Sequence, residues 1–545
     1  MRLTARELIW IGLFGTGTLA YSGCGTDYAD FYLPLTHPSP GTGGGDTSST
    51  STTGTGGMPP SCEGDPTTDA TLVRDECGVF VRASAAVGGK GTKASPFQTF
   101  EEAAGATGVK RIYACAESYT ETAPVIFSGG IEIYAGFTKC DTQSGWAWTS
   151  ASTASLTGPA NLVSLTLNGG VNRILNMNVA TPSASIAGRS AVAMLVNGGS
   201  LDMSAGGVTA GDAMAGMAGV SLMDDPLLDG DSGDGGVGIC GSAANNKGPA
   251  GKTKSCPGVD SSKAGNGGDG GEFVTNLPIA AGSGTDGSPA DIAMPTKGKG
   301  GVGEGQGVPA ALSCDDGTSG VPGSLGDSGA GASGNGAISA KDLYQGASGK
   351  SGTTGKPGQG GGGGGGAKGG IAINCGMGAA DRVGASGGAG GTGGCGGALG
   401  GGGKAGGSSI ALVVLNATVK LSDVTLVAGK GGDGGKGGDG QKGGSKGTGG
   451  AFAKGAGPAN DSCKGGDGGK GGNGGPGGGG QGGHSLGIAF MGTTGPSGVT
   501  FTPDPLKKGG SGAGGLSNLA ANSGNGVDGT AMACWDFGKD KACGQ

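Results

Sequence analysis

Short runs of alternating apolar and polar residues occupy the first third of the chain. This period-two pattern predicts β-strands, because side chains along a strand point alternately to its two faces. The turns between the runs are spaced as in an all-β solenoid of stacked coils. The predicted strands are residues 109–115, 125–127, 131–137, 162–167, 174–179, 191–196 and 200–203.

A different period predicts one short helix ahead of these strands. Residues 95–98 (SPFQ) have the arrangement of a helix N-terminus, with serine as the cap and proline at the first helical position. Phe97, Phe100 and Ala103 then share one apolar face, and the helix is expected to end near Gly105.

A strand–turn–strand pattern returns later in the chain. Residues 190–211 and 409–432 each contain a strand, a small-residue turn and further strand, and each ends at a glycine tract. A third copy begins at His484. The simplest interpretation is one solenoid whose coils are separated by long glycine-rich insertions, which loop-closure entropy tolerates. The alternative is two separate β domains joined by a disordered glycine-rich middle.

The glycine tracts have a three-residue period. Residues 429–443 (GKGGDGGKGGDGQKG) place lysine and aspartate alternately at every third position, and the pattern returns at 465–483 and, uncharged, at 387–398. Three residues per turn matches the polyproline II helix, so these side chains would share one edge while glycine faces let neighbouring backbones pack as in polyglycine II. The alternative is a flexible coil. Collagen is disfavoured because proline is scarce in the triplets.

Residues 91–121, GTKASPFQTFEEAAGATGVKRIYACAESYTE, carry a resemblance to a known family. They resemble the opening of pectin-lyase-like proteins, in which a small helix caps the first coil. The resemblance extends over residues 77–215 and implies a right-handed parallel β-helix, without implying lyase activity. In composition, the glycine tracts also resemble glycine-rich surface proteins of mycobacteria.

The N-terminus has the features of an exported lipoprotein. Arg2 and Arg6 precede an apolar stretch too short to span a membrane, which is typical of a signal peptide. The stretch ends in a sequence that resembles the bacterial lipobox, with Cys24 as the acylated residue, although Tyr21 replaces the usual leucine. Gly25 then favours sorting to the outer membrane. Residues 36–60, rich in Gly, Ser, Thr and Pro, follow as a flexible tether.

Cysteine usage agrees with an oxidising compartment. The chain has 13 cysteines, and removing Cys24 leaves an even set compatible with six disulfides. Proximity along the chain suggests the pairs Cys62–Cys77, Cys115–Cys140, Cys240–Cys256 and Cys534–Cys543.

These observations divide the chain into five regions. They are a signal peptide at 1–23, a tether at 24–61, N-terminal β-helix coils with a capping helix at 62–210, a glycine-rich insertion region at 211–408, and C-terminal coils with triplet tracts at 409–545.

Few residues suggest metal binding, glycan binding or catalysis. Asp229, Asp231 and Asp234 lie in a glycine-rich acidic stretch that could bind Ca²⁺, although its spacing departs from the EF-hand rule. Trp146 and Trp148 could stack on sugar rings, or pack a turn. His484 is expected at a surface turn. The net charge of −7 and the scattered lysines argue against nucleic acid as a partner.

We therefore expect a lipid-anchored structural or adhesive protein of the bacterial outer membrane, facing the cell exterior, with no catalytic residues and calcium as the one possible cofactor. It would contact cell-surface polysaccharide or neighbouring cells. The alternative is a polysaccharide lyase or hydrolase of pectin-lyase type. Such an enzyme would need charged groups such as Arg173 and Asp202 on adjacent coils.

Overall fold

We describe the chain from a computed structural model, in which residues 62–545 form one compact unit. The signal peptide, Cys24 and the tether up to residue 60 lie outside the described residues, as do Cys240 and Cys375. The structure describes residues 61–141, 145–238, 246–258, 261–274, 277–289, 293–306, 313–369, 383–455, 461–498, 507–516 and 524–543.

Strands dominate the described residues, with one α-helix, α1 (Phe100–Gly105), and 3-10 turns at Ala70–Leu72 and Pro226–Leu228. The strands up to residue 210 are β1 (Val79–Val81), β2 (Arg111–Cys115), β3 (Ser118–Thr120), β4 (Val125–Ser128), β5 (Glu132–Thr138), β6 (Ala147–Trp148), β7 (Ala154–Thr157), β8 (Leu165–Asn168), β9 (Val171–Thr181), β10 (Ala191–Asn197) and β11 (Ser200–Ala210). The later strands are β12 (Thr253–Lys254), β13 (Ser262–Lys263), β14 (Phe273–Val274), β15 (Leu277–Pro278), β16 (Ala337–Ser339), β17 (Leu343–Gln345), β18 (Ser409–Leu415), β19 (Thr418–Val427), β20 (Ser485–Met491), β21 (Ala531–Asp536) and β22 (Lys541–Ala542).

Two large sheets contain most of these strands. In the first, the order is β1-β2-β5-β9-β11-β19, and in the second it is β22-β21-β20-β18-β10-β8-β4. The neighbours in both paths pair in parallel, apart from the antiparallel pair β21–β22. The prediction of an all-β fold is therefore confirmed, and its sheets are largely parallel.

Gly-Gly turns connect strands of the second sheet to strands of the first. Gly169-Gly170 follows β8 with φ values of 68° and 70°, and Gly198-Gly199 follows β10 with 74° and 70°. Because side chains disfavour positive φ, glycine suits both positions of such a turn. The turns stack, since the N–H of Gly169 donates to Asn197 O at 2.9 Å.

The strands on either side of the long glycine-rich region pair directly with each other. Ala191 in β10 lies opposite Ser409 in β18, and Ser200 in β11 lies opposite Thr418 in β19. The same two sheets therefore continue across the insertion, which is incompatible with two separate β domains.

The helix begins later than predicted. Thr99 is its N-cap, and Thr99 and Glu102 form a reciprocal capping box. Phe97 is instead extended, because its N–H donates to Phe80 O and its carbonyl accepts from Arg82 N, each at 2.9 Å. The predicted start at residues 95–98 is wrong because pairing with β1 fixes that segment first.

Apolar strand residues form the core. Ile133, Ile174 and Leu201 on successive strands of the first sheet are buried in one large cluster with residues of the second sheet. A smaller buried cluster near β1 contains Phe80, Tyr113, Phe137 and Trp146, among others.

The described glycine segments are held together by backbone hydrogen bonds. Between residues 388 and 406, every third N–H donates to a carbonyl of the segment 463–481. A second set of N–H groups in the same segment donates in another direction. The donors from residue 389 to residue 407 bind carbonyls from residue 234 back to residue 214. Gly387 and Gly390 donate in a third direction, to Gly268 and Gly265. We call the segments 213–236, 317–332, 349–367, 384–407, 431–450 and 464–483 the glycine bundle.

Five disulfides lie within the described residues. Cys62–Cys77, Cys115–Cys140 and Cys534–Cys543 form as predicted. Cys256 bonds Cys395 instead of Cys240, and Cys314 bonds Cys463. The predicted Cys240–Cys256 pair is wrong because the fold brings Cys256 next to Cys395, which is 139 residues away in the sequence.

None of the helices in the described part of the chain has the length and apolar character needed to cross a bilayer.

Candidate functional site

A row of charges with alternating sign crosses the first sheet. Arg111 lies opposite Glu132, Glu132 opposite Arg173, Arg173 opposite Asp202, and Asp202 opposite Lys420. Directly opposed residues on neighbouring strands are close enough for their side chains to interact, so this order favours pairing. We call these five residues the charged row. It contains the Arg173–Asp202 pair that a lyase would require on adjacent strands.

The segment that contains Cys62 and Gly64 contacts one end of the charged row. Arg111 pairs with Glu132 at 2.6 Å and donates to the carbonyls of Cys62 and Gly64 at 3.0 and 3.1 Å. The Arg111 side chain is only 8% exposed. This guanidinium therefore holds the N-terminal segment on the sheet and has little surface left for a ligand.

Arg173 is also engaged. Its Nη2 lies 2.8 Å from Asp65 Oδ2, its Nη1 donates to the Tyr134 hydroxyl at 3.0 Å, and its guanidinium lies 5.3 Å from the Tyr134 ring centre. Burial lowers the pKa of Arg173, but the hydrogen bond to Asp65 and the charges nearby outweigh it and raise the pKa overall. A proton held this firmly makes Arg173 a poor general base.

The other end of the charged row is more open. Lys420 Nζ lies 3.4 Å from Asp202 Oδ2, with the two side chains 64% and 47% exposed. Exposed pairs of this kind contribute little to stability. Asp202 and Lys420 are therefore the members of the row most accessible to a ligand.

A cavity of about 490 Å³ lies beside the buried end of the row. The Cys62–Cys77 disulfide, Lys110, Arg111 and Glu132 are among its lining residues. Arg111 is already paired, and Lys110 Nζ donates to the carbonyl of Gly129 at 3.2 Å. Arg111 is thus engaged within the protein, whereas the Lys110 ammonium has three donors and uses one of them for this carbonyl.

The two tryptophans that are candidates for stacking on sugar rings contact other residues of the protein. Trp146 is 3% exposed, and its ring meets Phe80 edge-on at 4.7 Å between centroids. Trp148 is partly buried and donates from Nε1 to Ala135 O at 2.9 Å. Trp146 has no face open to a sugar ring, so its placement corresponds to the turn-packing role.

The carboxylates of Asp229, Asp231 and Asp234 do not lie together in one group. Asp229 Oδ1 accepts from Ser445 N at 2.6 Å, Asp231 lies 3.7 Å from Lys254 Nζ, and Asp234 lies 2.6 Å from Lys252 Nζ. Across the residues that the structure describes, no group of three or more His, Cys, Asp or Glu side chains could hold a metal ion. The structure therefore gives Asp229, Asp231 and Asp234 separate partners and does not bring them together as one set of ligands.

His484 is buried rather than at a surface turn. It is 1% exposed, Nε2 lies 2.8 Å from Asn335 O, and Nδ1 accepts from Thr530 N at 2.9 Å. These bonds fix the neutral ring with its proton on Nε2, and burial lowers the pKa of His484. Both ring nitrogens serve the structure, so neither can act as a catalytic base.

Sequence reasoning missed a second role of aspartate in the glycine bundle. Asp467 accepts from Gly449 N at 2.9 Å while its other oxygen binds Lys446 Nζ at 2.8 Å. Asp439 similarly binds Lys436 and accepts from Leu516 N. Each such carboxylate satisfies an N–H of a neighbouring segment and pairs with a lysine. The backbone donors lie 18 and 77 residues from their aspartates in the sequence, so spacing alone could not reveal them.

Comparisons with known proteins do not assign this chain to a family. No family model matches the chain, no curated protein matches it, and no solved structure matches it. The resemblance to pectin-lyase-like proteins therefore stays a prediction.

Proposed function

We propose that this chain is a non-catalytic structural or adhesive protein of the bacterial outer membrane, held by acylated Cys24 and exposed to the cell exterior. The observation that supports this most is the glycine bundle, which presents alternating lysine and aspartate at its edges, as in the ion pairs Lys430–Asp433 and Lys436–Asp439. A surface of paired charges around a hydrogen-bonded interior suits a durable scaffold in water.

Two disulfides also support the proposal of a durable scaffold. Cys256–Cys395 and Cys314–Cys463 join residues 139 and 149 positions apart in sequence. Bridges over long loops remove much conformational freedom from the unfolded chain, and such bridges persist in oxidising compartments outside the cytoplasm. Cell-surface polysaccharide or neighbouring cells are the partners that this proposal implies.

We also propose the finer architecture. The two sheets would be walls of a right-handed parallel β-helix, which is supported by parallel pairing in chain order and by the stacked Gly-Gly turns. The glycine bundle would be a polyglycine II assembly, which is supported by hydrogen bonds that recur every third residue in several directions.

The anchoring and exposure can be tested by protease treatment of intact cells. Wild-type protein should incorporate labelled fatty acid, fractionate with the outer membrane and be cleaved from outside. Cys24→Ala should lose the label and be released. A periplasmic protein that stays intact serves as the control for cell integrity. Wild-type protein that is acylated but protected from the protease would contradict the exterior location.

Polysaccharide lyase activity is the second candidate, because Arg173 and Asp202 are opposed on adjacent strands. It predicts that purified protein converts a uronide polymer into unsaturated products and that Arg173→Ala abolishes the conversion. The bonds from Arg173 to Asp65 and Tyr134 weigh against this activity. An unchanged rate in Arg173→Ala would exclude Arg173 as the base.

A further inference from the structure

An exposed apolar row lies on one outer segment of the glycine bundle. Met214, Met217, Val220 and Met223 recur at every third position, with exposures that rise from 37% to 88%. In an extended helix of three residues per turn, such side chains share one edge and are spaced by roughly 9 Å. Leu227, 79% exposed, follows in the same segment. We call these five residues the apolar ridge.

The backbone of the apolar ridge is fixed from the inner side. The carbonyls of Met214, Met217 and Val220 accept from Gly407, Lys404 and Gly401, each at 2.9 Å. In the same segment, Gly216 N and Gly219 N donate to Asp433 O and Lys436 O at 2.8 and 2.7 Å. The segment cannot rotate to bury its apolar side chains without breaking these bonds.

The apolar ridge contrasts with comparable positions elsewhere in the bundle. In the neighbouring segment 429–443, every third residue from Lys430 to Lys442 is Lys or Asp. At an edge that only faces water, methionine, valine or leucine would not stabilise the protein more than a charged residue does. Contiguous exposed apolar residues mark interaction surfaces, and flexible methionine side chains adapt well to a partner.

We infer that the apolar ridge is a contact surface between two copies of this chain, packed antiparallel about a twofold axis. The row from Met214 to Met223 has constant spacing and complements itself, because the side chains of one copy fit between those of the other. A fluid lipid surface would not require this regular spacing.

The size of the ridge determines how strong the contact is. From Met214 to Leu227 the extended segment spans roughly 40 Å, so with a width of about 12 Å it offers about 500 Å² per copy. A stable dimer commonly buries about 800 Å² per partner. The ridge therefore gives a weak, reversible dimer.

Carboxylates flank the two ends of the ridge. Asp224 binds Lys442 Nζ at 2.9 Å, Asp212 accepts from Lys430 N at 2.6 Å, and Asp225 accepts from Leu227 N at 2.9 Å. Lys442 offsets the charge of Asp224, and backbone N–H groups of the same copy hold the other two carboxylates.

Sedimentation velocity over a concentration series tests the inference, with the full chain carrying Cys24→Ala throughout so that acylation cannot drive association. Met217→Gln combined with Val220→Gln removes apolar character from the ridge. Met294→Gln with Val302→Gln is the matched control, because these residues are 52% and 60% exposed elsewhere. The parent and the control should dimerise reversibly, and the ridge variant should raise the dissociation constant at least tenfold.

Oxidation supplies a second readout that requires no substitution. Peroxide transfers one oxygen atom to an exposed thioether, giving methionine sulfoxide and water, which makes the ridge polar. Mild oxidation should dissociate the dimer, and methionine sulfoxide reductase should restore it. A parent protein that is monomeric throughout the series overturns the inference, as does equal weakening by ridge and control variants. A monomer that binds phosphatidylglycerol vesicles through the ridge also overturns it, in favour of a lipid partner.

Discussion

Gly390 lies in the interior of the glycine bundle and offers the sharpest test of its packing. A Cβ added at Gly390 would lie 2.0 Å from Gly361 O, whereas real Cβ atoms essentially never approach another atom within 3.0 Å. The obstacle is backbone, so no side-chain rotation can relieve it. Gly390→Ala therefore forces the segments around residues 361 and 390 apart by about 1 Å.

Two hydrogen bonds join these segments at the point of strain. Gly361 N donates to Gly391 O at 2.9 Å, and Gly364 N donates to Gly388 O at 2.8 Å. A separation of about 1 Å would lengthen both beyond hydrogen-bonding range. A buried N–H left without a partner costs about 1–3 kcal/mol, so the two N–H groups alone should cost about 2–6 kcal/mol of stability.

Gly238→Ala is the matched control within the glycine-rich region. Nothing lies within 4 Å of a Cβ added there, and its backbone does not have the positive φ that strains a side chain. Because alanine reduces the freedom of the unfolded chain, this variant should be neutral or more stable by about 0.4–1 kcal/mol.

Urea denaturation gives the two free energies of unfolding, and hydrogen exchange read by mass spectrometry locates the effect. Protection should fall in peptides around residues 361 and 390 in Gly390→Ala and stay unchanged there in Gly238→Ala. Equal stability of the two variants would refute the close approach of these backbones. Destabilisation without local loss of protection would refute the proposed mechanism.

Acid should weaken the bundle, because Lys446 and the N–H of Gly449 lower the pKa of Asp467 below its usual value. That contribution is present above the usual aspartate pKa of about 4 and is lost as the pH falls through the lowered pKa, so the urea midpoint should drop as the pH falls below about 4, and a midpoint that stays constant there would contradict this. Cys256→Ser with Cys395→Ser should cost about 2–4 kcal/mol in the same denaturation assay, and no loss would argue against the bridge. Burial lowers the pKa of His484, so its contribution to stability is lost as the pH falls below about 6.5. NMR should show a neutral ring at about pH 6.5, and half-protonation there would contradict the buried placement.

Local patterns predicted the strands well, because alternation reports which face of a strand is buried. Ile133 and Ile174 illustrate this, since both lie in predicted strands and both are fully buried. The position of the helix start was missed, because pairing of Phe97 with β1 overrides a local capping signal. Long-range partners were missed for a different reason. The Asp467–Gly449 bond depends on which glycine segments become neighbours.

The sheets explain how the glycine segments find their neighbours. Ser409 N in β18 donates to His484 O, and the same separation of 75 residues continues through Gly406 N to Gln481 O and on to Gly388 N and Cys463 O. The segments 388–406 and 463–481 thus continue the register of the paired strands β18 and β20, whose buried faces specify that register strongly. A one-residue slip of this pair would place side chains where only glycine fits. The hydrogen bonds between these two glycine segments therefore depend on the register that the apolar strands set.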